Sequence, residues 1–384
     1  MSATRQRRPA ASREVCGICL FLCGDVMTGR GIDQVLPAPC GPAIYETYLS
    51  SAFDYVRLAE LAHGRISRPV EPSYIWGVAL DEFERAQPRF RIINLETAIT
   101  HSIDYAAKGI NYRMSPQNAS CLVAAGIDCC VLANNHMLDW GLAGLHETLS
   151  VLHDLQIGTV GAGRDQAAAE AAAVLDAGGD GRVLVFALTT PTSGTPRGWA
   201  AAPRRAGVNF LPDLAPARAH EVADQIVGVK RPGDVAILSL HWGPNWGYEV
   251  SAAERKFAHA LIDEADVSIV YGHSSHHPRP IEVYRNRLIL YGCGDFINDY
   301  EGIAGYAEFR GDLRPMYFVR IDPVSGDLLE LEIVPLQARR FRLVYPTPQD
   351  IEWLVVTLER ESRPFSTSVE RQDDGRIGLV WPRA

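Results

Sequence analysis

Two amides, an imidazole and a carboxylate stand close together at Asn134, Asn135, His136 and Asp139, directly after the apolar run from Cys129 to Leu132. These side chains can ligate a metal ion or carry a proton. The same arrangement recurs at four other places. An apolar run ending at Cys23 is followed by Gly24-Asp25-Val26-Met27-Thr28-Gly29-Arg30, and Phe90-Arg91-Ile92-Ile93-Asn94-Leu95 is followed by Glu96. Val235 to Leu240 leads into His241, and Val267 to Tyr271 leads into Gly272-His273-Ser274-Ser275-His276-His277. Any one of these has a plain structural reading, such as a carboxylate in a turn or a satisfied core histidine. Five apolar strands ending in Asp, Glu, Asn-His, His and His-x-x-His do not share that reading comfortably. Ligand sites in α/β sheets collect beyond the carboxyl ends of strands, where loops vary on a rigid frame. If the five strand ends lie together, the donors converge on one cavity. Their mixed oxygen and nitrogen character suits Mn, Fe, Zn or Co and lacks an obligatory thiolate. A carboxylate between two such ions holds them about 3.5–4 Å apart, an arrangement that activates water against a phosphoryl or acyl centre.

The elements that must position these groups follow from the pattern. Continuous apolar strands such as Ile18 to Cys23 predict burial on both faces, as in parallel sheets flanked by helices. Helices are expected over Tyr45 to Ala62, Pro116 to Ala125, Leu142 to Leu155 (with Leu142, Leu145, Leu149 and Leu152 on one face), an Ala-rich stretch before Val183, Ala252 to Ala265, and Pro348 to Glu361. A hairpin is expected around Asp322 to Asp327, with further strands at Phe341 to Tyr345 and Ile377 to Trp381. Residues 1–14 read as a disordered lead, 15–340 as the catalytic domain and 341–384 as a packed extension.

At 384 residues and 47% hydrophobic, the chain can bury a large core, and its net charge of −9 argues against nucleic acid or an anionic membrane as the main partner. Val15 to Cys23 is too short for a membrane span. Eight cysteines, mostly inside apolar runs, fit packed free thiols and hence a reducing, cytoplasmic compartment. Arg30 is a candidate oxyanion holder, and Lys108 with Arg113 a candidate pair for an anionic substrate group; a solvated hairpin tip is the alternative for the pair. Tyr74 and Trp76 are candidate walls of a substrate site, with core anchoring equally open. The sequence sets no oligomeric state.

These stretches, in this order, resemble the poly-γ-glutamate capsule synthesis proteins of the CapA/PgsA type, relatives of the calcineurin-like metallophosphoesterases. Gly24-Asp25 through Arg30, Asn94-Leu95-Glu96, Asn134-Asn135-His136 with Asp139 and Gly141, His241-Trp242-Gly243 and Gly272-His273 with His276 carry the resemblance. It continues through Ile281-Glu282-Val283-Tyr284 and Tyr291-Gly292-Cys293-Gly294-Asp295-Phe296. The resemblance implies a four-layer αββα sandwich of the metallophosphoesterase type with a C-terminal hairpin and helix extension. It implies one or two divalent ions held by Asp25, Glu96, Asn135, His241, His273 and His276. His136, held by Asp139, would be the acid that protonates a leaving group, and Arg30 would serve the oxyanion. The implied reaction is hydrolysis of a phosphoester or amide bond by metal-bound hydroxide on a small or peptide-like anionic substrate. Amide-bond formation in γ-glutamyl assembly and a non-catalytic assembly role are the alternatives. Two departures stand out: Met27 where the phosphoesterase pattern has His, and Asp295 where the capsule pattern commonly has Asn.

Overall fold

A computed structural model describes residues 17–303 and 305–382; the expected disordered lead lies outside them. The strand Ile18–Cys23 shows how the layers arise. Side chains alternate across a strand, so Ile18, Leu20 and Leu22 enter one core while Cys19, Phe21 and Cys23 enter another. The strand Val235–His241 repeats the division, with Val235 and Ile237 turned inward and Ala236, Leu238 and Leu240 outward.

The inner core therefore lies between two sheets. Each outer core is capped by helices, Phe53–His63, Ala79–Ala86 and Gly141–Asp154 on one side and Pro216–Val229 with Ala252–Ala265 on the other. This is a four-layer αββα sandwich. In the larger sheet the order runs Asp295–Ile297, Asp25–Val26, Phe90–Leu95, Ile18–Cys23, Leu313–Ile321, Leu328–Arg339, Ile377–Val380 and Ser368–Arg371, with Cys129–Val131 also beside Phe90–Leu95. In the smaller sheet it runs Ile281–Tyr284, Arg287–Leu290, Ile269–His273, Val235–His241, Arg182–Thr189 and Ala173–Asp176.

Parallel pairing brings the chemical residues to one end. Asp25 pairs with Asn94 and with Asp295, Asn94 pairs with Val131, and His241 pairs with His273. Tyr271 ties the two sheets at that end: its hydroxyl donates to Cys23 O and accepts from Cys23 N. Gly24 permits the approach, since a Cβ there would stand 1.8 Å from Gly294 O, and Asp25 N donates to that same oxygen at 2.9 Å.

The expected strands and most helices are present, with three differences. The helix expected from Tyr45 begins at Phe53, because Glu46 is drawn into an ion pair with Arg30 and Tyr45 lies flat on Tyr105 with centroids 3.7 Å apart. The Ala-rich stretch gives only the short helix Gln166–Glu170 and then a strand, Ala173–Asp176. Leu142 is 43% exposed, so only Leu145, Leu149 and Leu152 of the expected stripe pack inward. The segment after residue 340 joins the main sheet through Ile377–Val380, and Leu354 and Leu358 of the helix Pro348–Ser362 enter the core between the sheets. Of the described cysteines, Cys19 and Cys23 share one core, and all are free thiols.

Candidate functional site

The five strand ends meet. Asp25 lies fully buried where the first strand breaks, its Oδ1 accepting from Asn94 Nδ2 at 2.7 Å and its Oδ2 from Ser274 N at 3.2 Å. His273 Nδ1 stands 3.3 Å from Asp25 Oδ1. Glu96 Oε1 is 3.7 Å from His136 Nε2 and 3.7 Å from His241 Nε2, so this carboxylate stands between two imidazoles. His241 Nε2 also meets Asn135 Oδ1 at 3.0 Å. His276 Nδ1 bonds Asp295 Oδ1 at 2.9 Å, and Asp295 is in register with Asp25.

His136 is held from behind. Its Nδ1 lies 2.6 Å from Asp139 Oδ2, which also accepts from Tyr112 N at 2.7 Å. Lys108 Nζ pairs with Asp139 Oδ1 at 2.8 Å, lies 3.3 Å from His136 Nδ1 and donates to Asn135 O. Asn134 fixes the loop: its Nδ2 donates to Leu95 O at 2.9 Å and Asn94 Oδ1 at 3.1 Å, and its Oδ1 accepts from His136 N. With Asp139 accepting from Nδ1–H, the His136 ring presents a bare Nε2 toward Glu96.

Electrostatics separate these groups. Burial pulls His136 down to about 4, with the Lys108 charge helping and Asp139 opposing. Burial likewise takes His241 down to about 3 against the pull of Asp25. Both rings are therefore neutral at neutral pH, the form that ligates metals. Burial alone would raise Asp25, but His273, His241 and Asn94 hold it well below the usual carboxylate range. Glu96 goes the other way: burial and then the Asp25 charge push it well above its ordinary value. The two carboxyls of one pocket are thus shifted in opposite directions, a pattern found at functional sites and in structural ion-pair networks alike.

Three buried atoms here have no partner, Glu96 Oε2, His241 Nδ1 and His273 Nε2, and His273 Nδ1 has only its 3.3 Å ion-pair contact with Asp25. Buried polar atoms are normally satisfied, so such a concentration needs a cause. Hard oxygen and borderline nitrogen donors are the chemistry of a divalent-ion site. Among the described residues, however, no three His, Cys, Asp or Glu side chains already surround a common point. The donors are gathered and under-satisfied, leaning on one another.

Several residues fall elsewhere. The Arg30 fork is occupied by Asp299, with Nη1 donating to Glu46 Oε1 and Tyr55 OH, each at 2.8 Å. It clamps loops together, held at a φ of +48°, instead of offering free donors to an oxyanion. Lys108 is at the centre, but Arg113 turns away to Ser102 O and lies 3.9 Å over the Trp140 ring. Trp76 is wholly buried with Nε1 bonded to Cys121 O at 2.8 Å, and Tyr74 OH bonds Arg340 O, so neither walls the pocket. His277 uses both nitrogens structurally, Nδ1 facing Pro278 O and Nε2 accepting from Gly247 N. Met27 is buried, 1% exposed, behind the centre. Sequence reasoning quoted Asn94 within Asn94-Leu95-Glu96 but gave it no role, although its amide bridges Asp25 and Asn134. It also passed over Asp299, Tyr112 and Arg314, which act through partners remote in the chain.

A cavity of about 640 Å³ opens beside this centre, lined by His276, Asp295, Arg30 and Tyr300 at its inner end. A four-layer αββα sandwich that gathers carboxylates, amides and imidazoles at one end of both sheets defines an α/β protein with a strand-end pocket. Comparison with known proteins then narrows the class. The family described as "Bacterial capsule synthesis protein PGA_cap" matches residues 19–300, and the chain belongs to that family. It is 46% identical over 365 residues to a "probable polyglutamine synthesis accessory protein" of Mycobacterium tuberculosis, covering 94% of this chain and 96% of the relative. The "PGA biosynthesis protein CapA" of Bacillus subtilis is 27% identical over 303 residues, covering 77% of this chain and 74% of its own length. A solved phosphatase of Mycoplasma pneumoniae covers 85% of this chain and 96% of its own at a TM-score of 0.45 and 11% identity, too slight a likeness to argue from. Among the described residues, no helix is long and apolar enough to cross a membrane.

Proposed function

We propose that the pocket is a catalytic centre that breaks a phosphoester or amide bond in a small or peptide-like anionic substrate, with a divalent ion bound. The observation that carries this reading is the set of unpartnered buried atoms on Glu96, His241 and His273 beside a neutral His136. Asp25, Glu96, Asn135, His241 and His273 would hold one or two ions, with His276 at the edge; Mn, Fe or Zn suits these donors. When bound, such an ion supplies Lewis-acid polarisation of the substrate oxygen and lowers the pKa of water. The chain's own part is proton movement and alignment. His136 accepts a proton at Nε2 from the attacking water and returns it to the leaving group, while Asp139 fixes the ring through Nδ1 and stabilises its charged form. Lys108 pairs with Asp139 and places a cation at the centre.

A second reading, formation of an amide bond in γ-glutamyl assembly, draws its support from the relatives, whose names tie them to polyglutamine or PGA synthesis. The test is metal analysis of the chain purified without chelator, followed by turnover of an aryl phosphate and of γ-glutamyl peptides, with and without ATP. Hydrolysis without ATP supports the first reading, and ATP-dependent ligation the second. A metal-free protein inert throughout contradicts both and leaves a binding or assembly role. His136→Ala is expected to keep metal and lose about 10²–10⁴-fold in turnover, whereas Asp25→Ala loses both. Equal metal loss in the two variants would overturn the assigned roles.

A further inference from the structure

The cavity outside the centre carries information about the substrate that the centre does not. A polyanion such as a glutamate polymer calls for unpaired cations along its path. Each cation lining this cavity already faces a carboxylate, although Arg314 Nε and Nη1 make no hydrogen bond. Arg30 is closed by Asp299 and Glu46, and Arg310 by Asp312 at 2.8 Å and Asp350 at 2.7 Å. Arg314 faces Asp295 at 3.3 Å, and His63 meets Glu301 at 2.6 Å. The wall left open is aromatic and apolar. Trp246 stacks on Tyr306 with centroids 4.3 Å apart and planes at 11°, and His277 lies nearly parallel to Trp246 at 13°. Tyr306, which is 55% exposed, joins Tyr48 at 63% and Ile303 at 46% around the same cavity. Trp246 also stands 5.3 Å, centroid to centroid, from the His276 ring at the inner end.

An aromatic wall beside a polar centre recognises flat rings, because offset stacking removes apolar area from water in a preferred geometry. We propose that the substrate carries a planar aromatic ring next to its reacting anionic group, the ring lying against Tyr306 and Trp246 while the anion enters at His276. This rests on the catalytic reading above for the anionic end and adds the ring. The cavity volume is within the range of small-molecule pockets and holds a monocyclic or bicyclic ring.

The test uses ligands that cannot turn over. Calorimetric titration of the full chain, loaded with Mn, compares phenylphosphonate, methylphosphonate and a γ-glutamyl trimer. Phenylphosphonate is expected to bind at least about tenfold more tightly than methylphosphonate. Tyr306→Ala, a change at an exposed side chain, should remove most of that preference without altering methylphosphonate binding. Trp246→Leu should do the same and Trp246→Phe should retain it, with melting curves confirming folded protein. Equal affinity for the two phosphonates, or a preference untouched by both Tyr306→Ala and Trp246→Leu, overturns the ring. So does a γ-glutamyl trimer that binds more tightly than phenylphosphonate. Failure of both phosphonates to bind overturns the anionic reading of the centre itself, a separate outcome.

Discussion

Glu82 and Glu96 are both buried, 4% and 3% exposed, and they are treated in opposite ways. Glu82 accepts from Arg85 Nε at 2.7 Å, from Arg376 Nη2 at 3.0 Å and from Tyr345 OH at 2.8 Å. Burial raises its carboxyl, but these donors win and hold it below the ordinary value. Glu96 has two neutral imidazoles at 3.7 Å, the nearby Asp25 charge, and an oxygen with no partner. It is held well above the ordinary value. Glu82, a buried carboxylate fully donated to by its neighbours, belongs to the architecture. One left wanting at the end of a strand is kept for something that arrives.

The difference can be broken by removing each charge. Glu96→Gln keeps the shape but loses a ligand, and turnover should fall by about 10² or more; activity within twofold of wild type would make Glu96 structural after all. Glu82→Gln should leave kcat unchanged and cost about 1–3 kcal/mol of stability, read as a shift in the denaturant midpoint. An equal stability loss in both variants would erase the contrast. In metal-free protein, Glu96→Gln should instead raise the melting temperature by about 1–2 °C, since its raised carboxyl opposes folding once ionised. The sign follows from linkage: a carboxyl raised in the fold loses stability as pH rises past its unfolded value.

The smallest effect concerns Asp312, which resembles Glu82 in being fully engaged. Burial raises it, but Arg310 and Gln337 bring it down to about 2, below its ordinary 3.8. Its contribution is therefore complete above pH 3.8 and is lost as pH falls through about 2. Asp312→Asn should flatten the fall of melting temperature across that window, and an unchanged slope would show that Asp312 does not contribute to it.

The sequence discloses one of these two carboxylates far better than the other. Glu96 ends an apolar strand, so periodicity locates it and the other strand ends explain it. The convergence of Asp25, Glu96, His136, His241 and His273 was legible on the same ground, because parallel strands carry their last residues to one edge. Arg30 was not legible: its partner Asp299 is 269 residues away and Glu46 sits where a helix was expected. Nor could spacing tell that Trp76 would spend its indole N–H on Cys121 O, or that Arg113 would lie over Trp140 while Lys108 went to Asp139. Local pattern shows which residues end an element. Long-range pairing decides which of them remain free.

The central claim is that Asp25 and the unpartnered atoms of Glu96, His241 and His273 are kept for a divalent ion. Its most direct test is thermal melting of chelator-stripped full-length protein titrated with Mn, for wild type and for the double variant Asp25→Ala/His273→Ala. A saturable rise in the wild-type melting temperature that the double variant lacks is the predicted result. A wild type indifferent to the metal, or an equal rise in both proteins, would contradict it.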